Sequence, residues 1–281
     1  MRRVIVVGAG VVGLTSAVRL LEAGHRVDVV ARDLPLETTS AVAAAIWYPY
    51  LAEPPDSVAR WAAASRRAFE ALADEPGAGV RMAEGTEVGA DGPATSVIPL
   101  VEMPLFLRWL AARVGELGGT LTRLNLSGLP SGADEVVNCS GLGSRLLASD
   151  TSVIPVRGQV VVVEQFGLTR WWLDPRGPTY VIPRTNDVVV GGTEERGEWS
   201  RTPSPGAAKA ILERAAVMVP DLAGARVLRH KVGLRPVRPR LRVERVGGVV
   251  HCYGHGGAGV TLCWGTADDV VALVGSGAAT R

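Results

Sequence analysis

Val4-Ile-Val-Val-Gly-Ala-Gly-Val-Val-Gly13 decides the fold: four apolar residues run directly into Gly8-x-Gly10-x-x-Gly13. An apolar run of this kind, closed by glycines, reads as a buried strand. Leu14, Val18, Leu20 and Leu21 follow at helical spacing, Gly24-His25 makes a turn, and Val27–Ala31 reads as a second strand. Strand, glycine turn, helix and strand within about thirty residues form the βαβ unit that binds a dinucleotide. Gly8 permits the tight turn, Gly10 the close approach of a pyrophosphate, and Gly13 the packing of helix on strand. The acidic residue usual at the end of the second strand is displaced, since that strand ends Ala31-Arg32-Asp33. Asp33 can reach an adenosine ribose, whereas Arg32 keeps open an NADP-type site with its extra phosphate.

The other end of the chain carries Gly233-Leu-Arg-Pro-Val-Arg-Pro239 and then His251-Cys-Tyr-Gly-His-Gly-Gly-Ala-Gly-Val-Thr261. Pro236 and Pro239 fix φ beside Arg235 and Arg238, and the glycines let backbone approach a ligand closely. Thr261–Val274 reads as a helix whose free N–H groups point back into that turn. This suits an anion held beside a ring system, and a purely structural Pro/Gly turn uses the same residues. Between the two ends, Val58–Leu72, Pro104–Gly118 and Ala207–Val219 read as helices. Val136–Cys139 reads as a short buried strand, ending at the turn Ser140-Gly-Leu-Gly143. Val160–Val163, Tyr180–Ile182 and Val188–Val190 fit one antiparallel sheet. Glu84–Pro99 reads as a Gly/Asp/Pro-rich surface stretch, and there is no internal repeat.

The 281 residues are 47% hydrophobic, enough for a core and too many for a disordered chain. No uninterrupted apolar run is long enough to span a bilayer. With 30 basic and 28 acidic residues the net charge is only +2, which argues against nucleic acid as the main partner. The cluster Arg235–Arg245 reads instead as an anion site and a solvated strand edge. Cys139, Cys252 and Cys263 make neither a disulfide framework nor a metal set, so no metal is expected. A strand directly after Met1-Arg-Arg argues against a signal peptide, and Ala278-Ala-Thr-Arg281 is no peroxisomal signal. The expected location is the cytoplasm.

Over nearly its whole length the chain resembles the D-amino-acid oxidases, FAD enzymes of the D-amino-acid oxidase and glycine oxidase superfamily. The resemblance is carried, in order, by Gly8–Gly13, Ala31–Pro35, Ala43–Leu51, Leu100–Pro104, Val136–Gly141, Arg157-Gly-Gln159, Tyr180–Pro183, Gly191-Gly192, Gly233–Pro239 and the His251–Thr261 turn. It implies an α/β fold, with a Rossmann-like FAD-binding domain interleaved with a substrate domain built on a mixed, mainly antiparallel sheet. Residues 1–47, 104–152 and 240–281 would form the first, and 48–103 and 153–239 the second. FAD would rest on Gly8, Ala9, Gly10, Val11, Val12 and Gly13, then on Arg32 and Asp33. Thr38, Thr39, Ser40, Ala43, Ala44, Ala45 and Ile46 would follow, with Leu126, Ser140 and Gly141. Arg235, Gly256, Gly257, Ala258, Gly259, Val260 and Thr261 complete the expected cofactor site.

The resemblance also assigns the substrate carboxylate to Arg235, helped by Tyr180, and the substrate amine to the Gly257 carbonyl. Tyr48, Trp172 and Ile182 would bound the side-chain pocket, although bare aromatics such as Trp171-Trp172 equally suit a core. The implied reaction is oxidative deamination of a neutral D-amino acid, by hydride transfer from Cα to FAD and reoxidation by O2. Orientation alone can carry such a step, so no catalytic acid or base is expected, and His255 reads as a turn residue. Tyr48 and Tyr50 stand where a D-aspartate enzyme would offer histidine, which favours neutral substrates. A glycine or D-aspartate oxidase, an NAD(P)-dependent reductase and a non-catalytic flavin binder remain alternatives. The expected partners are a D-amino acid, O2 and a second copy in a homodimer, with neither membrane nor nucleic acid. Three departures stand out: Cys252 in the turn motif, a short Gly85–Pro99 segment, and no second tyrosine in Asp174–Thr179. The short segment implies the lack of a lid and a channel open to bulky D-side chains.

Overall fold

Val4–Val7 are buried on both sides, as the middle of a parallel sheet requires. The computed structural model describes residues 1–49, 52–177 and 179–276; Tyr50 and Ala278–Arg281, used above, lie outside the described residues. The fingerprint forms β1 (Arg3–Val7), α1 (Val11–Glu22) and β2 (Arg26–Ala31). Next come α2 (Pro55–Leu72), β3 (Val80–Gly89), β4 (Gly92–Val101), α3 (Met103–Glu116), β5 (Thr120–Arg123) and β6 (Glu135–Asn138). Then follow α4 (Ser144–Leu147), β7 (Ile154–Glu164), β8 (Trp171–Asp174), β9 (Thr179–Pro183), β10 (Asp187–Gly191) and β11 (Glu195–Arg196). The chain ends with α5 (Pro205–Met218), β12 (Val227–Val246), β13 (Val249–His255) and α6 (Gly259–Ser276).

The described strands form one sheet of thirteen, ordered β4-β3-β8-β9-β10-β7-β12-β13-β6-β1-β2-β5, with β11 on β7. From β13 to β5 every pairing is parallel, the Rossmann-like half. From β8 to β12 every pairing is antiparallel. The twenty-residue β12 joins the halves: its first part pairs with β7 and its last part with β13. The register shifts between Val237 and Arg242, where Pro239, lacking an N–H, cannot continue a ladder. The segment Gly233–Pro239, for which a Pro/Gly turn was one of two readings, is therefore strand.

One further expectation changes. Glu84–Pro99 is not an irregular surface stretch but most of the β3–β4 hairpin, turning through Ala90-Asp91 between the paired Gly89 and Gly92. Its solvent-exposed half, with Pro93 on the sheet edge, hides the alternation that marks a strand. Helix α2, in the span expected for the substrate domain, packs on α6 of the dinucleotide half: Val58, Trp61 and Ala62 meet Ala258, Leu262 and Leu241 of β12. Each large apolar side chain buried there contributes ~1.5–3 kcal/mol. The contact needs Gly265, where a Cβ would lie 2.3 Å from the Trp61 carbonyl oxygen. Gly256–Ser276 is long and apolar enough to cross a bilayer, but 61% of its most apolar stretch is buried in the protein. It is a core helix here.

Candidate active site

A cavity of about 730 Å³ opens at the carboxyl ends of β1, β2 and β6 and extends to Tyr180 and Arg235 in the antiparallel half. Four strand steps separate β2 from β12, roughly 19 Å at ~4.8 Å per step. The three fingerprint glycines meet different surroundings. Gly8 has φ +114, and a Cβ there would press on the Cys139 carbonyl oxygen at 2.5 Å. At Gly13 a Cβ would lie 1.9 Å from the Gly8 carbonyl oxygen, so helix and turn touch directly. Gly10 faces the cavity, and within 4 Å a Cβ would meet only the Ser40 hydroxyl, at 3.2 Å. A larger side chain there would project into the cavity. The Val11 N–H donates to Ser40 Oγ at 3.0 Å, which places a hydroxyl at the positive end of α1.

Just past β2, Arg32 grips Asp33 with two bonds, Nε to Oδ1 at 3.1 Å and Nη2 to Oδ2 at 2.7 Å. These bonds, Arg32 first, hold the Asp33 carboxyl below its ordinary range. The charge of Arg32 is thus committed to its neighbour, and the ground for a 2′-phosphate site weakens. Ala9, Val11, Val12, Thr38, Thr39, Ser40, Ala43, Leu126, Ser140 and Gly141 line the same cavity. Gly256, Gly257, Gly259 and Val260 line it where α6 begins, so two helix N-termini face one space.

Six of the expected cofactor residues act from behind the wall. Gly13 packs on Gly8, as above. Ala44 is buried with Leu100 and Trp171, Ala45 accepts the Val101 N–H at 2.8 Å, and Ile46 bridges to Leu100. Ala258 belongs to the α2–α6 contact. The Thr261 hydroxyl accepts the Tyr48 N–H at 3.2 Å and donates to the Tyr48 carbonyl at 2.9 Å, which pins that loop to α6. His255 is buried, its Nε2 3.4 Å from Thr266 Oγ1, as suits a turn residue. The contact with Cys139 and burial push the Cys252 thiol well up, so it is inert there.

The substrate end rests on two glycines to which the sequence assigned no role. The Arg235 guanidinium lies over Gly158 of β7, where a Cβ would sit 2.5 Å from Cζ, Nη1 and Nη2. Its Nη1 donates to the Thr193 carbonyl at 3.0 Å. Tyr180 lies over Gly191, its register partner on β10, where a Cβ would sit 2.0 Å from Cζ. Burial pushes the Tyr180 phenol up against the pull of Arg235, to which it is hydrogen-bonded, so it stays protonated and can donate. The available signal was glycine inside two strand patterns, which marks close approach of another group. Arg238 is structural instead, with Nε 2.9 Å from Asp150 Oδ2. Burial raises Asp150, but hydrogen bonds from Ser152, Arg238 and Tyr253 outweigh it and hold the carboxyl at about 2.

The expected side-chain walls are corrected. Trp172 points to the opposite face of the sheet and packs beside Ala208 and Ile211 of α5, because neighbouring strand residues alternate. Trp171 takes the cavity-side face but is buried, its indole N–H bonded to the Ala83 carbonyl at 2.9 Å. Ile182, 1% exposed, is core beneath Tyr180, and Tyr48 packs on that cluster. Val42, Val160 and Leu234 line the cavity instead.

A half-Rossmann sheet whose cavity ends on an arginine–tyrosine pair defines a dinucleotide-dependent oxidoreductase acting on a carboxylate. The family model for FAD dependent oxidoreductases matches residues 3–125 and 100–273, and the chain belongs to that family. It is 46% identical to a D-amino-acid oxidase of Rubrobacter xylanophilus, over 98% of this chain and 96% of that one. It is 42% identical to a D-amino-acid oxidase of Streptomyces coelicolor, over 96% of each. The solved glycine oxidase of Geobacillus kaustophilus shares the fold, with TM-score 0.84 at 21% identity over 98% of this chain and 95% of that one. FAD is therefore the cofactor, and the nicotinamide alternative is overturned. The residues fit it: an open cradle at Gly10, an acid at Asp33 and two helix N-termini for negative charge.

Proposed function

We propose that this chain oxidises neutral D-amino acids, with O2 and water, to 2-oxo acids, ammonia and hydrogen peroxide. The observation that carries the reading is the Arg235–Tyr180 pair, seated on Gly158 and Gly191 at the end of the FAD cavity. Arg235 presents a planar, permanently charged fork that binds a carboxylate by two parallel bonds and fixes its plane. The protonated Tyr180 hydroxyl adds a third donor, and the Gly257 carbonyl accepts from the substrate amine. Held at both ends, the substrate keeps one Cα–H direction, and that orientation replaces a side-chain base. When bound, FAD supplies the two-electron acceptor, and O2 restores it with release of peroxide.

Two features support a neutral side chain. Val42, Val160 and Leu234 give that part of the cavity an aliphatic surface. The charge of Glu194 also reaches Tyr180 and opposes a second carboxylate. The cytoplasm belongs to the same proposal, supported by three free, buried thiols, as does a homodimer that sedimentation would test. A small-molecule enzyme with no membrane or nucleic-acid partner agrees with the near-even charge. Peroxide release across a panel of D- and L-amino acids is the deciding experiment. Turnover of D-alanine or D-phenylalanine above that of D-aspartate, with L-isomers inert, is expected. No peroxide from any D-amino acid would refute the activity, and preference for D-aspartate would refute the neutral pocket.

A further inference from the structure

Residues 192–204 leave the substrate strands and reach the ribose end of the FAD cavity. Thr193, at their start, accepts from Arg235 through its carbonyl and from the Gln159 N–H through Oγ1 at 3.0 Å. Glu195 and Arg196 pair with Arg157 and Val156 of β7, and the Gly197 N–H donates to the Pro155 carbonyl at 2.8 Å. Beyond that turn Trp199 and Arg201 line the same cavity as Asp33 and Gly10. Trp199 is 52% exposed, a large apolar ring left uncovered in a concave site. The Arg145 guanidinium, after α4 has begun, stands 5.9 Å from its centroid. Arg201 is among the cations whose charge is felt by Asp33.

A buried side chain fastens this segment. Arg157, 3% exposed, pairs with Glu195, and its Nε donates to the Ser200 carbonyl at 3.0 Å. Its Nη2 donates to the Thr202 carbonyl at 2.7 Å and to Gln159 Oε1 at 3.1 Å. Gln159 in turn holds Ser204 by two bonds, accepting its N–H at 2.7 Å and donating to its carbonyl at 2.9 Å. The carbonyls of Ser200 and Thr202 face Arg157, while Trp199 and Arg201 line the cavity. Desolvating a guanidinium is costly unless its donors are met, and here they are met by the Ser200 and Thr202 carbonyls and the Glu195 carboxylate of this segment, with Gln159 of β7.

We propose that residues 199–201 are a strap over the adenosine diphosphate half of FAD, with Arg201 the cation for its diphosphate–ribose segment and Trp199 its apolar cover. Arg32 is tied to Asp33, and Arg145 to the carbonyls of Thr151 and Val153. Arg201 is therefore the cation best placed to meet the phosphate charge at this end. The proposal rests on the FAD reading of the cavity and is independent of which amino acid is oxidised.

The test is a titration of apoprotein with FAD at low salt, followed by flavin fluorescence, for the wild type, Arg201→Gln, Trp199→Ala and the distant surface variant Arg226→Gln. Both strap positions are exposed, so the apoprotein melting temperature should stay that of the wild type. The Kd for FAD should rise roughly five- to tenfold in Arg201→Gln, the value of one charge-assisted contact at an exposed site. That gap should shrink in high salt, as an exposed charge requires, whereas the smaller rise in Trp199→Ala should not. Arg226→Gln should match the wild type. If the wild type binds FAD and both strap variants bind within twofold of it, the strap is wrong while the FAD site stands. A wild type that binds no FAD would overturn both.

Discussion

Gly158→Ala separates the position of the Arg235 charge from its presence. The new methyl would lie 2.5 Å from Cζ, Nη1 and Nη2 of Arg235, whereas non-bonded carbon contacts settle at about 3.5 Å. The guanidinium must therefore retreat by about 1 Å. Its Nη1 bond to the Thr193 carbonyl, now 3.0 Å, is broken or bent, and the fork no longer matches the carboxylate plane. Losing half of a bidentate charge-assisted pair costs about 1.5–2 kcal/mol, so KM should rise roughly 10- to 30-fold. The Cα–H loses its direction as well, and a misplacement of ~1 Å can lower the chemical step by up to about 100-fold. Folding should suffer little, because the displaced atoms end a flexible side chain. The assay is peroxide-coupled kinetics on a neutral D-amino acid, with flavin absorbance per subunit and the melting temperature as controls. Normal flavin content with KM and kcat near wild type would refute the glycine seat.

Arg235→Ala should stay yellow but raise KM for a neutral D-amino acid by roughly 100-fold, since ~3 kcal/mol of charge-assisted bonding goes; unchanged KM would remove Arg235 from the carboxylate site. Gly10→Val should purify folded and colourless, whereas Gly13→Ala, 1.9 Å from the Gly8 carbonyl, should lower the melting temperature of the apoprotein itself. Equal flavin content in Gly10→Val and wild type would make that glycine structural only. The folded Asp150 carboxyl lies at about 2 against an ordinary 3.8, a depressed value. Its stabilisation, on the order of 1–2 kcal/mol, is present above about pH 4 and lost as pH falls toward 2. Urea titrations from pH 6 to 2 should show this loss in the wild type and a flatter profile in Asp150→Asn; parallel profiles would contradict the assignment.

The fingerprint was legible because its pattern is local: strand, glycine turn and helix follow one another within about twenty residues, and Gly13 packs directly on Gly8. The helices were legible too, with ends shifted by a few residues, since amphipathic spacing survives without tertiary contacts. The hairpin β3–β4 was not, because an exposed edge rich in glycine and proline shows little apolar alternation. Nor was β12, whose prolines look like breakers in one dimension. In the sheet they stand beside the place where the strand passes from β7 to β13.

The sequence by itself determined a dinucleotide-binding βαβ unit, a carboxylate-seeking arginine near the C-terminus and, through ordered motifs, a flavin oxidase. Only the tertiary structure decided which way Arg235 and Arg238 point, which of two adjacent tryptophans turns to the α5 face, and why Gly158 and Gly191 are glycine. Those choices depend on strand register and sheet face, and these are set by pairing between segments far apart in the chain. Arg238 turns to Asp150 rather than to the cavity, beside the register shift that begins after Val237. A short window of sequence holds neither partner of such a pairing, so it shows the residue types of the site without saying which way they face.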